Sequence, residues 1–576
     1  MSSTTCWSSL RRCIPLTSYS SSRLQTKRTM LSSSPTPIPY TPSPTTSALP
    51  ETKGSVQTKA SAYNAGNPEF QFPGLSSDSP WNQKSLAQKY PALAEDISAD
   101  VVVVGAGISG LSCALNLARE GKSVVVLESR VRGAGQTGKT TAHIMTWLDD
   151  YYYECISMHG QKNATLVAQS LRSAVDMIEH NVVSENIDCE FTRLDGILYP
   201  HSSSAVSTLH KELDAALKCG LSDTKLVDLG GGADVGHIKE ALVFPNNGEF
   251  HPLKYLEGLA EAVIRHGGRI YEGTKAYNLD SDKVRTESGK TVYCEAIVLA
   301  TNSPINHNLA VHARQLPYRS YVIGVLCPRS QFKRADYWST ETEYHYVRAE
   351  DWDEENYMVI IGGEDHKSGC QPNYDVYAQL EKHARERWTG LGPVVLKWNG
   401  QVMEPADMLY LHGRDPLVSE PNRYIITGDS GQGMTGGTIG GRVVADLILG
   451  KENPWADVYS PSRVPPAKSL LEIAEEGAIT TASFAERVLP KVTLSYDLEP
   501  GKGAIVQKGV HKVALYKDED GNEHAMSAVC PHLGCIVHWV DIDKSFQCPC
   551  HGSVFSCTGE LVNGPAKSDL KPIEDW

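Results

Sequence analysis

Residues Ala99–Ser129 read ADVVVVGAGISGLSCALNLAREGKSVVVLES. Four successive valines, Val101–Val104, leave no polar face, which is the pattern of a parallel strand covered on both sides. Gly105, Gly107 and Gly110 end that strand, and Leu111, Leu115 and Ala118 then recur at helical spacing. Val124–Leu127 is a second buried strand, closed by Glu128. Strand, glycine turn, helix and strand in this register form a dinucleotide-binding βαβ unit. Gly105 makes the tight turn, Gly107 admits a pyrophosphate and Gly110 lets helix pack on strand. The helix N-terminus at Ile108 and Ser109 then faces the phosphates, and Glu128 is placed to accept from ribose hydroxyls.

Two flanking stretches bear on which dinucleotide is held. GAGQTGKTTAHIMT (Gly133–Thr146) is rich in Gly and Thr, and Thr137, Gly138, Thr140 and Thr141 bring donors and hydroxyls near the pyrophosphate. Arg423–Gly450, RYIITGDSGQGMTGGTIGGRVVADLILG, is a strand, a glycine-dense loop and a helix. There Asp429, Gly431, Gly433 and Met434 are placed to hold a ribityl chain and a flavin ring. An early fingerprint paired with a late glycine loop marks FAD rather than NAD, in the glutathione-reductase-like fold.

The chain has 576 residues, too many for one hydrophobic core. Its net charge of −14 argues against a nucleic-acid-binding surface. No apolar run approaches the eighteen or so residues of a membrane span. Of 14 cysteines, five follow residue 529 and nine are scattered singly, which suits buried thiols in a reducing compartment. Residues 1–60 are rich in Ser, Thr and Pro, and five basic residues precede the first acid, Glu51. That composition fits a mitochondrial transit peptide and equally a disordered tail. The location expected is the mitochondrion, with the cytoplasm as the alternative.

Between the glycine segments, helical patterns (Leu166–Val183, Leu253–His266) mix with strands such as YRSYVIGVL and YMVIIGGE. A linker helix is expected over 466–490. Beyond it, short strands alternate with Gly, Asp and Asn turns, as in a small all-β unit. That unit holds Cys530-Pro-His532-Leu-Gly-Cys535 and Cys548-Pro-Cys550-His551-Gly-Ser553. Two Cys/His pairs suit either tetrahedral zinc or a 2Fe–2S cluster with thiolates on one iron and imidazoles on the other.

The loops HLGC and CPCHGS resemble those of Rieske proteins, and residues 490–576 resemble the Rieske proteins of cytochrome-bc complexes, including an NGPA loop at Asn563–Ala566. The resemblance implies Cys530, His532, Cys548 and His551 as cluster ligands and a Cys535–Cys550 disulfide clamping the loops. Ser553 matches one of the family's two cluster-tuning hydroxyls. Phe555 stands where the second, a Tyr, is usual, which implies a lower reduction potential.

From about residue 65 onward the chain resembles the D-amino-acid-oxidase-like FAD-dependent oxidoreductases. TGKTTAH, YRSYVIG, YHYVR, IIGGEDHKSG and NPWADVYSPSR are similar to a subfamily ending in a Rieske domain. This implies an α/β FAD-binding (glutathione-reductase-like, Rossmann) domain with an interleaved α+β substrate domain over 61–465, plus a small all-β Rieske domain over 491–576. The FAD-binding parts are expected at about 97–150, 235–305 and 420–450. The family grips a substrate carboxylate with Arg and Tyr, so Arg319, Tyr321, Tyr344, Tyr346 and Arg348 are the substrate-contact candidates. His366 is a candidate or a structural loop residue. Some relatives bind FAD covalently. His143 is not at the matching place, so non-covalent FAD is expected.

A two-electron flavin joined to a one-electron cluster implies a dehydrogenase acting on a small amine or amino-acid-like substrate. Its acceptor would be a quinone, cytochrome or other carrier. The alternatives are a redox-sensing or apoptosis-type flavoprotein and a Rieske oxygenase. His307-x4-His312 mimics the oxygenase's iron site, but Pro304 stands where that site needs an acid.

Overall fold

The computed structural model describes residues 38–39, 79–81, 87–305, 309–341, 344–416, 422–487 and 498–574. The transit-peptide reading of residues 1–60 therefore lies almost wholly outside the described residues.

Val101–Val104 is the middle of a six-stranded sheet. From one edge the order is Leu411–Arg414, Arg423–Thr427, Ala296–Leu299, Val101–Val104, Val124–Leu127 and Arg269–Tyr271. All neighbours run parallel except the pair Leu411–Arg414 and Arg423–Thr427. The valines are buried on both faces, as their unbroken apolar run requires. A four-stranded sheet built on Ala276–Tyr293 and Ile97–Ser98 lies at one side.

Two helices cross on this sheet, Ile108–Arg119 and Gly433–Ile448. Their approach depends on missing side chains. A Cβ on Gly437 would lie 2.6 Å from Ser109 Oγ, and one on Gly441 2.7 Å from Ser112 Cβ. The glycine-dense segment after Thr427 is thus a helix-packing surface as well as a loop.

A mixed ten-stranded sheet forms the second layer. Its long strands Gln315–Pro328, Asn356–Lys367 and Val394–Pro405 pair antiparallel. One expected boundary shifts: Glu240–Glu249, placed by sequence with the FAD-binding part, pairs with Thr192–Tyr199 in this sheet. Conversely Leu411–Arg414, before the expected boundary at 420, joins the dinucleotide sheet. Helix Tyr152–Ser184 kinks at Gly160.

Helix Leu470–Ala485 leads into the C-terminal unit, two small antiparallel sheets of three and four strands. The chain is thus an α/β dinucleotide domain, an interleaved α+β domain and a small all-β domain. No helix among the described residues is long and apolar enough to cross a membrane.

Candidate functional site

A cavity of about 440 Å³ opens at the carboxyl ends of the parallel strands. One end is built by the fingerprint. Glu128 accepts from the N–H groups of Ala106 and Arg130, each at 2.9 Å, which fixes its carboxylate at the cavity wall. Helix Ile108–Arg119 starts at Gly107 with no side-chain cap, which leaves N-terminal amides for an anion. Thr137 closes over this point, its hydroxyl accepting from the Ile108 N–H at 3.2 Å. The glycines are required by space: a Cβ on Gly105 would meet the Ala300 carbonyl at 2.5 Å, and one on Gly110 the Gly105 carbonyl at 1.9 Å.

The second helix N-terminus, at Gly433, converges on the same cavity, again without a side-chain cap. Gln432 is anchored by donating to the Trp147 carbonyl at 2.7 Å and accepting from Tyr410 at 2.8 Å. Ile108, Ser109, Thr140, Thr141, Asp429, Gly431, Gly433 and Met434 line the cavity with Gly105, Gly107, Glu128 and Thr137. Gly138 and Gly110 stand behind it, Gly138 accepting from Ser79 Oγ at 2.5 Å. Two uncapped helix ends, an anchored ribose-side acid and glycine approaches on a long cleft fit FAD.

The far end is walled by the large sheet through Ser320, Val322, Trp338, Tyr344, Tyr346 and Asp365. Tyr344 donates to Asp149 at 3.1 Å, and the Tyr346 and Ser320 hydroxyls are 2.6 Å apart. His143 lines this end beside Trp338, and burial, with Arg348 nearby, holds it neutral, down to about 3.

Three substrate-contact candidates lie elsewhere. Arg319 faces away and donates to Asp543 of the C-terminal unit at 3.2 Å and to Asn399. Tyr321 is stacked on His366 with ring centroids 5.0 Å apart, in the apolar core under helix Val376–Arg387. Arg348 donates to Glu350 at 2.6 Å and to the Thr141 and Ala142 carbonyls, with Glu249 at 3.2 Å. For Arg319 and Tyr321 the physical reason is strand alternation: 319 and 321 share one face while 320 and 322 share the cavity face. Arg348 has the parity of Tyr346 and is instead engaged by Glu249 and Glu350. Asp149, Asp365, Ser320 and Trp338, not singled out by sequence, are what the cavity presents. The even spacing of Ser320 and Val322 was the available signal.

In the C-terminal unit the two loops superpose in hydrogen bonding. Gly534 N–H donates to the Cys530 carbonyl, and Gly552 N–H to the Cys548 carbonyl, each at 3.0 Å. Cys530, His532, Cys548 and His551 are buried together, and the two imidazoles lie 5.0 Å apart. Cys535 and Cys550 are joined by a disulfide between the loops. Ser553 accepts from the Ala566 N–H at 3.0 Å, tying the Asn563–Ala566 loop to the cluster loop. Phe555 is a buried strand residue opposite Phe546. This donor set fits two irons.

The two histidines of the cluster loops are buried against the flavoprotein part. His312, on the short helix Leu309–His312 of the flavoprotein part, puts its ring 4.9 Å from that of His532 and 5.0 Å from that of His551. Gln401 donates to the Gly552 carbonyl at 2.5 Å, and Gly369 N–H to Gln547 at 3.0 Å. Residues 561–564, 566, 567 and 569 of the C-terminal unit complete the wall of the cavity. His307 lies outside the described residues. His312 itself packs on the rings of His532 and His551.

Comparison with known proteins agrees with this geometry. Residues 100–447 match the family model for FAD dependent oxidoreductases, and residues 489–574 that for the Rieske [2Fe-2S] domain. The chain belongs to the FAD dependent oxidoreductase family. This oxidoreductase with its Rieske domain is 30% identical to YhfW of Bacillus subtilis (strain 168), a protein named for its Rieske 2Fe-2S character. The match spans 86% of this chain and 97% of YhfW. It is 25% identical to the gamma-glutamylputrescine oxidoreductase of Escherichia coli (strain K12), over 63% of this chain and 86% of that protein. Among solved structures, glycine oxidase from Geobacillus kaustophilus matches with a TM-score of 0.54 and 18% identity, covering 64% of this chain and 99% of that one. The oxidoreductase uses FAD and a Rieske 2Fe–2S cluster.

Proposed function

We propose that this oxidoreductase is a dehydrogenase for a small amine or amino-acid-like donor, which sends its electrons through the cluster to an external carrier, a quinone or cytochrome, rather than to oxygen. FAD supplies two-electron oxidation of a C–H donor, and the cluster supplies transfer of one electron at a time.

The observation that carries the reading is the shared wall. The loop at 561–569 closes the cavity of the flavoprotein part, and His312 packs on both cluster imidazoles. Each centre's pocket is completed by residues of the other unit. Gln401 serves both, lining the cavity while donating to the Gly552 carbonyl between His551 and Ser553. The chain's residues hold the two sites in one docked arrangement, with Tyr344, Tyr346 and Trp338 lining the donor end. The relative named for gamma-glutamylputrescine oxidation supports a carbon–nitrogen donor.

Anaerobic stopped-flow mixing with a reducing substrate tests this. Flavin bleaching is expected to be followed by loss of the cluster's visible absorbance within the same molecule. A cluster that stays oxidised while oxygen restores the flavin would sink the reading.

A further inference from the structure

The donor end of the cavity has the wrong charge for a carboxylate. The two arginines that sequence offered for a carboxylate are engaged outside it, Arg319 with Asp543 and Arg348 with Glu249 and Glu350. The cations that do line the cavity belong to its nucleotide end. Arg130 follows Glu128, Lys139 shares the turn of Thr137, Lys275 pairs with Glu287 at 3.0 Å, and Lys567 donates to the Tyr277 carbonyl at 3.1 Å.

What faces the donor end is acidic and aromatic. Asp149 and Asp365 line it with Tyr344, Tyr346 and Trp338, and the two tyrosine rings lie 5.8 Å apart. Asp149 Oδ1 and Asp365 Oδ1 are sealed from solvent and lack a hydrogen-bond partner among the described residues. Behind Asp149 stand two more acids, Asp150 and Glu404, both accepting from Ser430 Oγ at 3.4 and 2.8 Å. Buried carboxylates cost several kcal/mol unless a counter-charge completes them. A negative wall lined with aromatic faces attracts an ammonium group by charge and by ring quadrupole together.

From this geometry, and resting on the reading of the cavity as the donor site, we infer that the substrate is a cationic alkylamine, of the diamine class, with no carboxylate on its reacting carbon. Asp149 and Asp365 hold a charged ammonium group, and the reacting nitrogen is the neutral one. The C–H bond beside that nitrogen breaks, and its hydride, carrying two electrons, goes to FAD. The N–H proton goes to solvent, and the carbon–nitrogen bond becomes an imine that water splits to a carbonyl compound and an amine.

Burial raises Asp149, with Asp150 beside it adding to the rise, and burial raises Asp365 to about 6, as expected of carboxyls awaiting a cation.

Isothermal titration of the oxidised, anaerobic holoenzyme is the test, with 1,4-diaminobutane and its N-acetyl derivative set against N-methylglycine and proline. At least one of the two amines is expected to bind tenfold or more tighter than either amino acid, and Asp365→Asn to weaken that binding at least tenfold. The variant's cluster electron-paramagnetic-resonance signal and flavin spectrum should match the parent's. Where Asp365→Asn does not fold, Asp149→Asn takes its place with the same expectation. Tighter binding of the amino acids, no binding of either amine, or unchanged binding in the folded variant overturns the inference. The two readings fail separately. Amino acids that bleach both flavin and cluster would remove the substrate class and leave the relay. A diamine that bleaches the flavin while the cluster stays oxidised would remove the relay and leave the substrate class.

Discussion

Arg319, on the long strand Gln315–Pro328 of the flavoprotein part, donates to Asp543 of the Rieske unit across 3.2 Å, with both side chains sealed from solvent. Asn399 joins them, donating to Asp543 at 2.8 Å. A buried ion pair gives little net stability, but removing one partner strands the other and costs about 3–5 kcal/mol. Arg319→Ala is therefore expected to loosen the docking of the two units more than any rim contact would. Calorimetry should show a lowered first transition, and limited proteolysis should separate the two units faster. An unchanged melting profile and cleavage rate would show that the pair holds nothing together.

His312 makes a different contribution, because it covers the imidazoles of His532 and His551. His312→Ala removes a buried ring from the interface. A loss of about 1.4 kcal/mol of docking changes the docked population by about tenfold. Cluster bleaching after substrate addition is expected to slow by that order, while flavin bleaching stays near the parent's rate. Equal slowing of both would mean that His312 serves the donor site rather than the docking.

Much of this was legible in the sequence, and the limits have physical reasons. Val101–Val104, the three glycines and Glu128 specify the dinucleotide end because each answers a local constraint of strand, turn or helix start. The cluster loops were legible for the same reason, since ligand spacing is local. The donor end was not. YRSYVIG shows that Arg319 and Tyr321 share a face of a strand, but alternation alone does not say which face meets the cavity. That depends on pairing with Asn356–Lys367, where a register shift falls between Arg319 and Tyr321. The docking of Asp543 on Arg319 joins residues more than two hundred positions apart, and no periodicity carries such information.

Gly110 offers a sharper test of the cofactor site than the loop residues do. A Cβ there would lie 1.9 Å from the Gly105 carbonyl, a backbone atom that is unable to move without opening the turn. Gly110→Ala should yield protein with little or no FAD, because the helix start can no longer seat against the strand. Overpacking of this kind costs about 1–3 kcal/mol in the fold as well. The ratio of flavin to protein in purified material is the measurement, with iron content as the control. Full flavin occupancy in the variant would mean that the turn relaxes without loss.

The last prediction concerns pH, and it rests on a cluster behind the cavity wall. His345, between Tyr344 and Tyr346 in sequence, points away from the cavity to Glu341 at 2.6 Å and Glu364 at 3.3 Å, and its ring stacks on His383 at 3.7 Å. Burial would lower His345, but the two carboxylates outweigh it and raise its pKa from 6.5 to about 9. His383 moves the other way, down to about 3, through burial and the charged His345 beside it. Glu341 is brought down to about 2, its hydrogen bond to His345 outweighing burial. A raised histidine stabilises the fold fully below 6.5 and loses that contribution as pH climbs toward 9. The lowered groups lose theirs in the acid direction, His383 between 6.5 and 3 and Glu341 between 4.5 and 2. The parent's melting temperature should therefore fall from pH 6.5 to pH 9 by an amount that His345→Gln abolishes. In the variant the alkaline limb should be flatter, and its deficit against the parent should shrink steadily across that window. A deficit that stays constant from pH 6.5 to 9 would mean that His345 contributes through packing alone and carries no extra proton in the folded enzyme.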